Sequence, residues 1–153
     1  MIGTLRRSCW LTLLPMLCWS FFFVASSSNA QGQKSGKLIV KIAGIHNPEG
    51  NIRVAVRTDE TNIAAAQVVA IDPKTLTAEA VFDDLPEGNY GVAVIHDENK
   101  DGKLDFNDFG MPIEGYGHSN NPSKRQGAPE FSETKFIFSA PVTTSTVNLV
   151  YWP

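Results

Sequence analysis

Apolar side chains recur at every second position through most of this 153-residue chain, and helical spacing is nearly missing. Successive residues of a strand point to opposite faces, so this pattern restricts the chain to sheets. Leu38, Val40 and Ile42 alternate with Ile39, Lys41 and Ala43. Both faces are mostly apolar, which predicts a central strand. Ile52, Val54 and Val56 alternate with Arg53, Ala55 and Arg57, so one face should meet water. The cluster Asn47-Pro48-Glu49-Gly50-Asn51 between them is rich in turn formers and predicts a hairpin.

Val68–Ile71 and Ala78–Phe82 read as two further short strands, broken by Asp72-Pro73-Lys74. Residues 62–67 (NIAAAQ) favour helix but are too few to hold one. Leu85-Pro86-Glu87-Gly88 turns the chain into a strong strand, Asn89–His96, with Tyr90, Val92 and Val94 on one face. Phe136 and Phe138 mark a sixth strand, and Val147, Leu149 and Tyr151 a seventh. Ahead of the sixth strand, residues 109–132 are rich in Gly, Pro, Asn and Ser and read as one long irregular loop. The expected fold is all-β: a seven-stranded immunoglobulin-like or transthyretin-like β-sandwich carrying that loop, with a small barrel as the alternative.

Residues 1–30 do not fit this pattern. Arg6 and Arg7 precede an almost wholly apolar run from Cys9 to Ala25, and Ser28 and Ala30 place small residues at −3 and −1 of a cleavage site before Gln31. This is the layout of a signal peptide, followed by a flexible lead-in at 31–36 and one domain at 37–153. An uncleaved anchor is the rival, disfavoured by the small-residue exit; a lipoprotein is disfavoured because Leu17 precedes Cys18. The expected location is periplasmic or extracellular, with no membrane span after cleavage. Both cysteines, Cys9 and Cys18, fall in the leader, so the exported domain would have no disulfide. Without Arg6 and Arg7, 11 basic residues face 16 acidic ones, a formal charge of −5. That balance argues against nucleic acid or anionic lipid as a partner.

The run His96–Asp108 (HDENKDGKLDFND) is where the sequence points to chemistry. Asp97, Asn99, Asp101, Asp105 and Asp108 occupy positions 1, 3, 5, 9 and 12 of a calcium loop, and Gly102 sits at position 6, where such a loop turns sharply. Oxygens on alternating residues can converge on one hard cation. Lys103 would supply its backbone carbonyl, with its side chain outward, and Leu104 would anchor the loop in the core. The loop follows a strand instead of a helix, and Asp replaces the usual Glu at position 12, which predicts modest affinity for Ca²⁺. The competing explanation is a solvated acidic turn, since DENKDG is turn-rich for reasons unrelated to metal.

Other chemistry finds less support. His96, at the end of its strand, reads as a histidine bonded to loop backbone, or as a group that orients Asp97. His46 and His118 lie in loops, without the spacing of a zinc or copper site. Ser119 lacks the G-x-S-x-G context of a nucleophile. Glu98, Glu114 and Glu130 could form carboxylate pairs, as in any acidic β-protein. Tyr116, between glycines, reads as packing over the sheet edge more than as a binding contact.

Two segments together resemble a bacterial exported family named domain of unknown function 2141. The first comprises Gly88, Tyr90, His96, Asp97, Asn99, Asp101, Gly102, Lys103 and Asp105; the second comprises Gly110, Pro112, Glu114, Gly115, Tyr116, Gly117, Ser119 and Asn120. Ala128-Pro129-Glu130-Phe131 also looks like the family's small-Pro-x-Phe element. His118 stands where the family commonly carries Phe, which argues against a catalytic role for it. The resemblance implies an exported β-sandwich of this length. It also implies that Glu114 and Tyr116 belong with the acidic loop, and it supplies no reaction. The expectation is therefore a non-enzymatic binding or structural module with Ca²⁺ at 97–108, supported by His96, Gly102, Glu114 and Tyr116, whose partner would be an envelope protein or glycan. The alternative is a metal-dependent envelope enzyme using the acidic loop with His96.

Overall fold

Period-2 segments become strands in a computed structural model that describes residues 32–123 and 127–152. The expected signal peptide, residues 1–30, lies outside the described residues. Strand β1 spans Ser35–Ala43, β2 Asn51–Arg57, β3 Ile63–Val69, β4 Ala78–Pro86, β5 Gly88–Asp97, β6 Gly115–His118, β7 Phe136–Phe138 and β8 Val142–Asn148. The one short helix among the described residues, α1, covers Phe131–Thr134 and is closed by a capping box between Glu130 and Glu133. The fold is all-β, as expected, but eight strands are described in place of seven.

The strands form two sheets. One has the order β4-β1-β8; the other runs β3-β2-β5-β6, with β7 pairing β5 beyond the end of β6. Leu38, Val40 and Ile42 of β1 and Ala80 and Phe82 of β4 join Ile52, Val54 and Val56 of β2 and Val92 and Val94 of β5 in a single buried cluster. Each fully buried aliphatic side chain contributes about 1.5–3 kcal/mol. Burial on this scale holds together described residues that contain no cysteine.

The hairpin expected across residues 44–51 is not formed. Both edges of β1 are taken, by β4 in antiparallel and β8 in parallel pairing, while β2 pairs with β3 and β5. The turn instead carries the chain from one sheet to the other. Gly50 makes this possible: at φ +72° it lies so close to the β5 end that a Cβ would sit 2.1 Å from the Asp97 carbonyl. The turn cluster was legible, but turn residues do not say which strands they join.

Three further departures have local causes. Residues 63–67 of that stretch belong to β3, because Ala66 faces Ala55 and Gln67 faces Val54 across the ladder with β2; pairing overrides a weak helical preference. The lead-in at 31–36 is tied down from Lys34 onward, since Glu87 N donates to Lys34 O at 2.8 Å and β1 begins at Ser35. The 109–132 segment is not structureless: it holds β6 and the start of α1. β6 escaped notice because its inward positions are glycines. A Cβ on Gly115 would lie 2.3 Å from Tyr151 Cζ, and one on Gly117 would lie 2.7 Å from Val147 Cγ1. The strand lies too close to its neighbours to carry the apolar side chains that reveal a strand in a sequence.

Candidate functional site

β5 delivers His96 and Asp97 to the point where the 44–50 turn and the C-terminal segment meet. His96 continues the inner face of Tyr90, Val92 and Val94 and is completely buried. Its Nε2 lies 2.7 Å from Glu49 O and its Nδ1 2.7 Å from the Tyr151 hydroxyl. A carbonyl only accepts, so Nε2 carries the hydrogen, and in the neutral ring Nδ1 accepts from Tyr151. Burial, with Glu98 adding to it against the His46 amide, pushes the Tyr151 hydroxyl up to about 12. The His46 ring stacks on Tyr151 at 3.8 Å between centroids. Both ring nitrogens of His96 are therefore engaged within the protein.

Asp97 is also completely buried. Its carboxylate is directed into the loop: Oδ2 accepts from Gly102 N at 3.1 Å and lies 3.6 Å from Arg53 Nη1, while Oδ1 is buried with no hydrogen-bond partner. The turn continues through short side chain–backbone bonds. Asn99 Oδ1 accepts from Asp101 N at 2.9 Å, and Asp101 Oδ1 accepts from Lys103 N at 3.1 Å. Gly102 adopts φ +93°, the sharp turn expected at this position. Asn99 Nδ2 donates to Asp105 Oδ2 at 2.7 Å. Asp97, Asn99, Asp101 and Asp105 are thus connected around one loop.

Lys103 departs from expectation. Its side chain folds back, placing Nζ 2.9 Å from Asp101 Oδ2 and 3.6 Å from Asp105 Oδ1. The cause is electrostatic: the hydrogen bond and charge of Asp101, and the charge of Asp105, hold the Lys103 ammonium above its usual pKa. The same contact with Lys103 holds the Asp101 carboxyl below the usual range.

Asp108 is not brought to the others. Asn107 Oδ1 accepts from Phe109 N and Met111 N, and Phe106 bridges Pro112, so the chain bends into a small exposed hairpin with Asp108 in its turn. The carboxylate that does reach the loop is Glu114. It is almost completely buried, and its two oxygens accept from Glu98 N at 2.9 Å and Asp105 N at 3.1 Å, bracketing the acidic turn. Tyr116 lies on the apolar side of the loop, away from its carboxylates. On β6 it pairs with Ile95, and its ring lines a shallow apolar recess of about 230 Å³ with Ala93, Leu104, Phe106 and Pro112. Leu104 is half-buried in this recess and is not a member of the central core. Ser119 is a buried clasp, accepting from Val92 N and donating to Thr134 O, which occupies the oxygen a nucleophile would need.

The sequence offered no clear sign of Arg53 or Tyr151 as neighbours of the loop. Arg53 read only as a water-facing strand residue, and Tyr151 only as part of a terminal strand; their proximity is set by β2–β5 pairing and by the approach of the chain end. Among the described residues, no group of three or more His, Cys, Asp or Glu is gathered closely enough to hold a metal ion. In this arrangement the carboxylates of Asp101, Asp105 and Glu114 are engaged by amides, by Asn99 and by Lys103, whereas Asp97 Oδ1 is left without a partner. The chemistry on offer is oxygen-rich and anionic.

The model of the DUF2141 family, described as uncharacterized protein conserved in bacteria, matches residues 40–146. The match takes in the acidic loop and Glu114 and stops short of Tyr151. Comparison with curated proteins and with solved structures gave no match.

Proposed function

The chain belongs to the DUF2141 family, and within it we propose an exported β-sandwich, immunoglobulin-like or transthyretin-like, that acts as a binding or structural module with a Ca²⁺ site in its acidic loop. The observation that carries this reading is Asp97 Oδ1, a carboxylate oxygen buried without a hydrogen-bond partner at position 1 of the loop. A buried charged group left unsatisfied is costly, and a cation in the loop would satisfy it. Asp97, Asn99, Asp101 and Asp105 would offer side-chain oxygens and Lys103 its backbone carbonyl, with water completing the shell. Binding would exchange the internal bonds of the loop for coordination. Asn99 and a backbone carbonyl are part of this set, so it does not depend on a cluster of carboxylates alone.

The role proposed for the ion is structural: it would fix the loop bracketed by Glu114 and so hold the 105–113 hairpin in place for an envelope protein or glycan. The engagement of both His96 nitrogens supports this over an enzymatic use of the loop. The acidic charge supports a partner other than nucleic acid, and the leader-like residues 1–30 support export to the periplasm or beyond. Among the described residues, no helix is long and apolar enough to cross a membrane.

The test is thermal unfolding of the purified protein in calcium and in chelator, with titration calorimetry alongside. Calcium should raise the midpoint and release or absorb heat, and Asp97→Asn should abolish both effects. Equal midpoints with no heat of binding would reject the calcium site.

A further inference from the structure

Lys103 occupies the place in the loop where a cation would be drawn. Its ammonium lies 2.9 Å from Asp101 Oδ2 and 3.6 Å from Asp105 Oδ1, bridging loop positions 5 and 9, while its side chain remains 70% exposed. It can therefore swing into solvent without uncovering buried surface. The Arg53 guanidinium is placed differently. It approaches Asp97 Oδ2 at 3.6 Å and leaves Asp97 Oδ1 unpartnered. That free oxygen belongs to a completely buried side chain whose other oxygen accepts the Gly102 amide inside the loop. One part of the loop is thus neutralised by a tethered ammonium, and another is not satisfied at all.

We infer that Lys103 is an internal counter-ion which a divalent cation must expel, and that it sets the cation affinity of the loop. The inference rests on the calcium reading above and adds its regulation. A tethered ammonium competes at a high effective concentration fixed by its own short side chain. While it bridges Asp101 and Asp105, the loop is closed to the ion, and the apparent affinity falls by the fraction of time the loop is open. Once expelled, the ammonium becomes a free surface charge beside the loop.

The experiment is calorimetric titration of CaCl₂ into the purified protein and three variants at one ionic strength. Lys103→Met removes the bridge. Lys103→Arg keeps a cation able to span both carboxylates. Lys100→Met removes an equal charge from an exposed loop position three residues away. Lys103→Met should lower the calcium Kd about fivefold or more, while Lys103→Arg and Lys100→Met should stay within about twofold of the parent. Binding by Lys103→Met alone, with no measurable binding by the parent, would support the inference in its strongest form. If Lys103→Met binds no tighter than Lys100→Met, Lys103 is not the competitor, although the calcium site stands. If neither the parent nor Lys103→Met binds calcium, the calcium site falls and this inference with it.

Discussion

The Tyr151 hydroxyl meets His96 Nδ1 at 2.7 Å, so the end of the chain seals the buried end of β5 from which the acidic loop departs. Tyr151→Phe would keep the ring stacked near His46 but leave a buried ring nitrogen without its donor. An unsatisfied buried acceptor costs about 1–3 kcal/mol. Urea unfolding should show a loss of that size with an unchanged m-value. A variant as stable as the parent would mean that water replaces the hydroxyl and that the bond contributes little.

Glu114 should act as a staple for the acidic turn. It accepts one amide from each side of the turn, from Glu98 and Asp105. Hydrogen bonds to a charged acceptor contribute about 1.5–3 kcal/mol each. Glu114→Gln keeps one accepting oxygen and turns an NH₂ group towards the other amide, so it should cost about 2 kcal/mol or more. Hydrogen exchange gives the specific readout: the Glu98 and Asp105 amides should lose protection, while Val54 and Val94 in the central ladder should lose only what global destabilisation explains. Unchanged protection at both amides would remove Glu114 from this role.

Gly115 and Gly110 should respond to alanine very differently. A Cβ at Gly115 would overlap the Tyr151 ring, at 2.3 Å from Cζ. Relieving that overlap requires Tyr151 to leave its place against His96 and His46, and overpacking of this kind costs about 1–3 kcal/mol or more. Gly110 has φ +71° but nothing within 4 Å of its Cβ position, so only the left-handed backbone is penalised, at about 1–2 kcal/mol. That cost falls in an exposed hairpin, where the backbone can relax. Gly115→Ala should therefore lower the thermal midpoint more than Gly110→Ala does, and equal shifts would refute the packing argument.

What could be read in the sequence divides along physical lines. The central strands were visible because Leu38–Ile42, Ile52–Val56 and Tyr90–Val94 bury every second side chain, and burial enforces alternation. β6 was invisible because close approach requires Gly115 and Gly117, which carry no hydropathy signal. Pairing partners were also hidden: the Asn47–Asn51 turn looks the same whether it joins neighbouring strands or crosses between sheets. In the acidic run, ligand spacing identified Asp97, Asn99, Asp101 and Asp105 as one loop, since the turn itself enforces that spacing. It failed for Asp108, because Asn107 starts a second turn that a fixed twelve-residue template does not anticipate. It also did not anticipate the Lys103 side chain, which is flexible and follows local charge and not periodicity.

Asp59 should give the fold a stability that is lost in acid. Its Oδ2 accepts from Asn62 Nδ2 at 2.6 Å, and its Oδ1 accepts from Thr61 N at 2.8 Å and Asn62 N at 2.9 Å, shaping the turn that leads into β3. These bonds, the Asn62 side chain first, hold the Asp59 carboxyl well below the usual carboxylate range. A carboxyl with a lower pKa folded than unfolded binds fewer protons when folded, so it favours the native state wherever it is ionised. Its contribution is complete above the unfolded value of about 3.9 and declines as pH falls below that value, through the folded pKa. Asp72 and Asp101 are lowered as well, the first chiefly by the Lys74 amide and the second by Lys103, and they add slopes of the same sign. Asp59→Asn keeps an accepting oxygen for the two amides but cannot ionise. Its urea midpoint should therefore change less than the parent's between about pH 5 and pH 2, while a smaller slope from the other two carboxylates persists. Parallel pH profiles for parent and variant would show that the Asp59 turn is formed equally in the unfolded chain, and that its low pKa contributes nothing to folding.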